Sequence, residues 1–174
     1  MFNPKLEKAL NAQINAEMWS AYQYLSMATY FHSIGHAGIA HWFEIQFKEE
    51  QDHALILYNF LVTRGGRVKL DPIKSVQTDW ETPLAAFEDT LKHEKDVTQM
   101  INNLYALAIE ENDYTVQNRL RWFIDEQIEE EDEAQKIIDS LKLIDGNGLG
   151  LYMFDKELGS RTYSTPAPLN SAVE

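Results

Sequence analysis

Residues 43–57 read Phe43-Glu44-Ile45-Gln46-Phe47-Lys48-Glu49-Glu50-Gln51-Asp52-His53-Ala54-Leu55-Ile56-Leu57. On a helix, residues seven apart drift by only about 20°, so Phe43, Glu50 and Leu57 share one face. That face is apolar on both sides of Glu50, and a carboxylate stands where the core should be. Three residues on, His53 completes Glu-x-x-His. The helix carrying this stretch is predicted from about Ile39 to Thr63, and Gly65-Gly66 supplies its C-terminal stop.

The same contradiction recurs outside this segment. Leu10, Glu17, Tyr24 and Phe31 follow the seven-residue spacing, as do Phe87, Glu94 and Ile101, and Phe123, Glu130 and Ile137. Asn3-Pro4 reads as a cap followed by proline, opening a first helix that runs to about Phe31. Residues 33–38 make a turn. Residues 66–81 carry Pro72 and no sustained period, so they read as a long connection. Thr82-Pro83 opens a third helix to about Glu111. Asn112-Asp113 is a short break, and a fourth helix runs to about Ile144 before Gly146. Leu149 to Leu158 forms a short fifth helix, and the last dozen residues read as a loose tail.

Helices of roughly 25 to 30 residues span about 40 Å at 1.5 Å per residue, a bundle length. The expected fold is all-α: an antiparallel four-helix bundle with one long crossover between helices 2 and 3. Residues 1–158 form the bundle domain with its fifth helix, and 159–174 the C-terminal tail.

Composition narrows the chemistry. Fifteen Lys+Arg against 28 Asp+Glu leave a net charge of −13, the wrong sign for a phosphate-backbone binder. Cysteine is absent, which removes disulfides, thiolate metal sites and cysteine nucleophiles together. No apolar run reaches the length of a membrane span, and the N-terminus does not resemble a signal peptide. Nucleic acid and membrane are therefore not expected partners, and the cytoplasm is the expected location.

The interrupting residues are also related by a repeat. Glu17 and Glu94, Glu50 and Gln127, and His53 and Glu130 are each 77 positions apart. Two copies of a helical hairpin would bring these six together inside the bundle. Any one of these glutamates alone could belong to a solvated face or an ion-pair network. Four of them converging would repel one another and would rather take up protons than stay charged. Lys48, Lys92, Lys95 and Arg121 lie off the stripes, so divalent cations are the fitting counter-charge. Carboxylates with one imidazole suit iron or manganese. One Glu from each of two helices and Glu-x-x-His from the others is the general pattern of di-iron carboxylate bundles.

With this ligand set, Tyr24, Trp122 and the run Leu151-Tyr152-Met153-Phe154-Asp155-Lys156-Glu157-Leu158, the chain resembles the bacterial non-haem ferritins from Pro4 to about Leu158. The resemblance implies a homo-oligomeric shell of 24 subunits that oxidises Fe(II) with dioxygen and stores a ferric mineral. It implies a first iron site of Glu17, Glu50 and His53. A second uses Glu94 and Glu130 with Glu50 bridging, and Gln127 sits beside it, coordinating or hydrogen-bonding. Glu49, Glu126 and Glu129, with Glu130, resemble a third iron site, or else belong to the acidic surface of helix 4. Tyr24 is a nearby electron donor or core packing. Gln51 stands where haem-binding relatives carry methionine, so haem is not expected. His32, His36, His41 and His93 receive no role.

Two rival functions have the same bundle. An oxygenase acting on an organic substrate needs an apolar cavity beside the metals, where the stripes offer bulky Tyr24, Trp122 and Phe123. A metal buffer or purely structural bundle needs no oxidation at all.

Overall fold

In a computed structural model of the chain, which describes residues 2–170, every regular element is a helix. They are α1 (Pro4–Ser33), α2 (Ala37–Thr63), α3 (Pro83–Glu110), α4 (Tyr114–Ile144), α5 (Gly148–Leu158) and α6 (Ala167–Asn170). The caps are those that short polar side chains supply: Asn3 accepts from Lys5 and Leu6, Thr82 from Ala85, and Asp113 from Thr115 and Val116. Pro4 and Pro83 occupy first-turn positions where no amide donor is needed.

α1 packs along α2 and α3 along α4, and the two hairpins also meet through α1 and α3. The connection between α2 and α3 is pinned along almost the whole of α1. Lys69 and Arg67 bond to Asn11 near one end, Ser26 donates to the Gln77 carbonyl farther along, and Tyr30 donates to the Trp80 carbonyl. It therefore carries the chain the length of the bundle, and α2 and α3 run parallel, as the spacing predicts.

The core is divided. One apolar cluster gathers Leu6, Leu10, Leu57, Leu61, Leu104, Leu120 and Phe123; a second gathers Phe31, Ile39, Phe43, Phe87 and Ile138. Burying a large apolar side chain contributes about 1.5–3 kcal/mol. Between the clusters lies a buried polar layer of Glu17, Ser20, Gln46, Glu50, His53, Thr90, Glu94, Gln127 and Glu130. The clusters on either side hold this layer in place.

One boundary differs from the sequence reading for a tertiary reason. α2 begins at Ala37, earlier than Ile39, although His36 gives it no side-chain cap. The cap comes from α5: Asp155 Oδ1 accepts from the amides of Gly38 and Ile39 at 3.0 and 2.9 Å. Gly38 is required there, because a Cβ would sit 1.6 Å from the Asp155 carbonyl oxygen.

The expected loose tail is a correction. Residues 159–170 lie against the bundle: the Arg161 carbonyl accepts from His41, Tyr163 donates to Asp52, and Leu169 packs on the first apolar cluster. The anchoring groups are more than 100 positions away in sequence, so no local pattern announces them. Residues 171–174 of that tail lie outside the described residues.

Candidate metal centre

Glu17 from α1 and Glu50 and His53 from α2 are each 1% exposed and converge. One donor atom from each lies within 4.8 Å of the other two. Glu50 and His53, three apart, fall on one face of α2 through helical geometry alone. Their Nδ1 and Oε2 atoms are 3.4 Å apart. Glu17 Oε1 accepts from Gln13 at 2.9 Å. Glu17 Oε2, Glu50 Oε2 and His53 Nε2 are buried and have no hydrogen-bond partner among the described residues. An orphaned buried acceptor costs about 1–3 kcal/mol, more when charged. Two carboxylates and an imidazole converging in this way form a donor set that fits a divalent cation of the iron or manganese type.

The second hairpin is arranged differently. Glu94 and Gln127 are buried, but Glu94 Oε1 accepts from Tyr24, and Gln127 Nε2 donates to Glu94 Oε2 at 3.0 Å and to its carbonyl at 3.2 Å. Gln127 thus acts here as a hydrogen-bond donor to a carboxylate. Glu130 Oε2 accepts from Gln46 at 2.8 Å. A second candidate cluster forms from Glu130, Glu126 and His53, with His53 Nε2 3.8 Å from Glu126 Oε1. Glu94 belongs to neither three-residue cluster in this arrangement.

Burial raises the Glu17 carboxyl above the ordinary carboxylate range and raises Glu50 well above it. Burial, reinforced by Glu94, pushes Glu130 up to about 8. Burial alone would lower His53, but the carboxylates of Glu126, Glu50 and Glu17 outweigh it and hold the imidazole well above its usual value. Burial, and then Glu94, keep the Tyr24 phenol protonated well beyond its ordinary range. Each of these carboxyls, and the His53 imidazole, therefore holds a proton more tightly than it would in water. Aromatic rings wall it in: His53 lies 5.5 Å from Trp122 and 5.8 Å from Phe123, and Tyr24 stacks on Phe43 at 6.0 Å.

Glu49, Glu126, Glu129 and Glu130, the residues resembling a third iron site, line one cavity of about 440 Å³ together with Glu133 and Arg161. Glu49 is not free in it, since Arg161 Nη2 lies 2.9 Å from its Oε2.

Gln13, Gln46 and Arg161 were not foreseen. The two glutamines sit four residues before Glu17 and Glu50, on the same helix rows, and both are buried. A polar seam at that spacing was the available signal. Arg161 gives none, because it reaches the cavity from beyond α5. The histidines without a role are structural in this fold. His93 shares a 2.7 Å hydrogen bond with Ser20, His32 pairs with Glu44, and His41 donates to the Arg161 carbonyl.

Comparison with known proteins gives one answer by three routes. The sequence profile of the ferritin-like domain matches residues 7–144. The bacterial non-heme ferritin of Bacteroides fragilis is 42% identical over 161 residues, spanning 92% of this chain and 100% of that protein. That of Staphylococcus epidermidis is 37% identical over 164 residues, 94% of this chain and 99% of its own. Among solved structures, an open pore ferritin from the hyperthermophilic archaeon Archaeoglobus fulgidus superposes with a TM-score of 0.92. It is 44% identical and covers 93% of this chain and 100% of its own.

Proposed function

The chain belongs to the ferritin-like family as an iron-storage subunit of the non-haem type, and from that premise we propose that its buried polar layer is a ferroxidase centre. Fe(II) is the substrate. The observation that carries the reading is the convergence of buried Glu17, Glu50 and His53, which bring one donor atom each within one ligand sphere and each keep a buried polar atom without a hydrogen-bond partner. They take the first Fe(II). Glu94 and Glu130 take the second with Glu50 shared, once Glu94 Oε2 turns from Gln127 while Oε1 keeps Tyr24. Gln127 positions Glu94 before the ion arrives and is not itself a ligand. Glu49, Glu126 and Glu129, with Glu130, hold a further iron on the flank.

Each Fe(II) gives up one electron. Two electrons and two protons take dioxygen to hydrogen peroxide, and four of each take it to two waters. Bound protons leave the glutamates and His53 as the ions enter, so binding releases protons. The carboxylates then offset the charge that grows as each iron reaches Fe(III). Tyr24, whose proton already points to Glu94, is suited to supply a further electron while Glu94 takes that proton. The aromatic rings around the centre leave little room for an organic substrate, which disfavours the oxygenase reading.

Storage needs an enclosed space. α5 leaves Leu149, Tyr152 and Met153 exposed, an apolar surface suited to contact with other subunits. We assign the subunit to a closed homo-oligomer, 24 copies by family resemblance, in the cytoplasm. No described helix is long and apolar enough to cross a membrane. Size-exclusion chromatography tests the shell, and a monomer or dimer removes it. The chemistry is tested by loading Fe(II) without oxygen, admitting oxygen and following ferric absorbance. Wild type gives a fast phase that Glu50→Ala lacks; equal rates would overturn the assignment.

A further inference from the structure

The acidic cavity already contains a cation, and it belongs to the chain. Arg161 Nη1 donates to Gln46 Oε1 at 2.5 Å, and Nη2 contacts Glu49 Oε2 at 2.9 Å and Glu133 Oε2 at 3.2 Å. The guanidinium also lies 4.9 Å from the centre of the Trp42 ring. On the other side Glu126, which lines the cavity, has its Oε1 3.8 Å from Nε2 of buried His53. Arg161 therefore neutralises Glu49 and Glu133 on one side of the cavity, while Glu126, Glu129 and Glu130 line the rest.

We propose that Arg161 is a tethered competitor of the flanking metal site: its guanidinium holds Glu49 and Glu133 where a divalent ion would bind, and must swing out for that ion to enter. This rests on reading Glu49, Glu126, Glu129 and Glu130 as a metal site. A guanidinium and a divalent ion repel each other across one small cavity, and both want the Glu49 carboxylate. The backbone stays fixed during the exchange. The Arg161 carbonyl is held by His41 at 2.9 Å, and Tyr163 bonds Asp52 at 2.6 Å, so only the side chain moves. It has somewhere to go: a second groove of about 320 Å³, lined by Trp42, Glu133, Glu157 and Arg161 itself, adjoins the cavity.

The competitor also reports inward. Arg161 occupies Gln46 Oε1, which leaves Gln46 Nε2 to donate to Glu130. Glu130 is shared between the buried pair and the flank, so Arg161 in place steadies it for the pair. When Arg161 leaves, Gln46 is free to turn and Glu130 to serve the flanking ion. The order that follows is buried ions first and flanking ion last.

The test is calorimetric titration of the metal-free assembled protein with Zn(II), which binds without redox chemistry. It uses wild type, Arg161→Gln, Arg161→Lys and the double variant Arg161→Gln/Glu49→Gln. The expected result is two tight ions per subunit throughout. A weaker third ion should bind about tenfold tighter in Arg161→Gln, with the gain shrinking at high salt. Arg161→Lys, which keeps the charge, should resemble wild type, and the double variant should lose the gain. A third ion equally or less tightly bound in Arg161→Gln overturns the proposal and makes Arg161 a structural strap. If the third ion is absent from every variant while the two tight ions remain, the flanking site and its competitor fall together. Loss of all tight binding instead overturns the ferroxidase centre itself.

Discussion

The α1–α2 hairpin and the α3–α4 hairpin carry matching residues 77 positions apart, yet their polar groups are in opposite states. Glu17, Glu50 and His53 each keep a buried polar atom without a hydrogen-bond partner, and donor atoms of the three converge. Their counterparts Glu94, Gln127 and Glu130 are tied up, Glu94 by Tyr24 and Gln127, and Glu130 by Gln46. The difference traces to two substitutions within the repeat. Gln127 answers Glu50 and turns an acceptor into a donor that can satisfy Glu94. Glu130 answers His53 and removes the imidazole. One half is a candidate cation site as it stands, and on the proposed reading the other gives up a hydrogen bond before it binds.

The largest expected consequence is an asymmetry in activity. Glu50→Ala removes the ligand proposed to serve both positions, and the initial rate of ferric absorbance should fall by roughly a hundredfold or more. Gln127→Ala removes only an orienting donor, and should cost about tenfold or less, the range of residues that steer a ligand. Equal losses would erase the distinction between the halves.

Next in size is an attempt to make the second half resemble the first. Gln127→Glu strips Glu94 of its donor and adds a buried carboxylate beside it. The metal-free protein should lose about 1–3 kcal/mol, the cost of a buried group left unsatisfied. Added Zn(II) should restore more of the melting temperature in this variant than in wild type. A metal-free melting temperature unchanged from wild type would mean that the Gln127–Glu94 contact does not hold the second half closed.

In the first half the reverse holds. Glu17→Gln keeps an acceptor for Gln13 but removes a buried charge, so the metal-free protein should gain stability by about 1 kcal/mol or more near pH 8. It should gain less from Zn(II). A destabilised variant would show that Glu17 is already satisfied without metal.

The smallest effect is the pH dependence. Glu130 rises from 4.5 to about 8 in the fold, so it binds its proton more tightly folded than unfolded. Its contribution is complete below about 4.5 and is lost as the pH rises toward 8. His53, raised well above 6.5, acts in the same sense, its contribution being lost as the pH passes its higher folded value. The melting temperature of the metal-free protein should therefore decline from about pH 5 to about pH 8. The stabilisation by Zn(II), which must displace those protons, should grow over the same interval. A metal-induced gain that is flat with pH would separate metal binding from these carboxyls.

Much of this was legible without coordinates. Phe43, Glu50 and Leu57 fix a helical face and a carboxylate within it, because side-chain direction on a helix follows from backbone geometry and needs no partner. All of the stripe residues through the four glutamates are buried as their spacing implies. The readings that missed depend on groups meeting from distant parts of the chain. Asp155 caps α2 from 117 positions away, and Arg161 reaches Gln46 from 115. No period carries that information. The sense of the Gln127 hydrogen bond was equally hidden, since an amide can donate or accept and only its neighbours select one.

The amino-acid sequence by itself determined the helices, the bundle with its crossover, and six of the nine residues of the polar layer, because each is a matter of local period or of repeat spacing. Only the tertiary structure decided which of those six are open to a cation, and that an arginine from beyond α5 already stands beside them. Hydrogen-bond satisfaction and charge pairing are properties of what surrounds a group in space, and in this molecule those surroundings come from all four long helices and the chain that follows them.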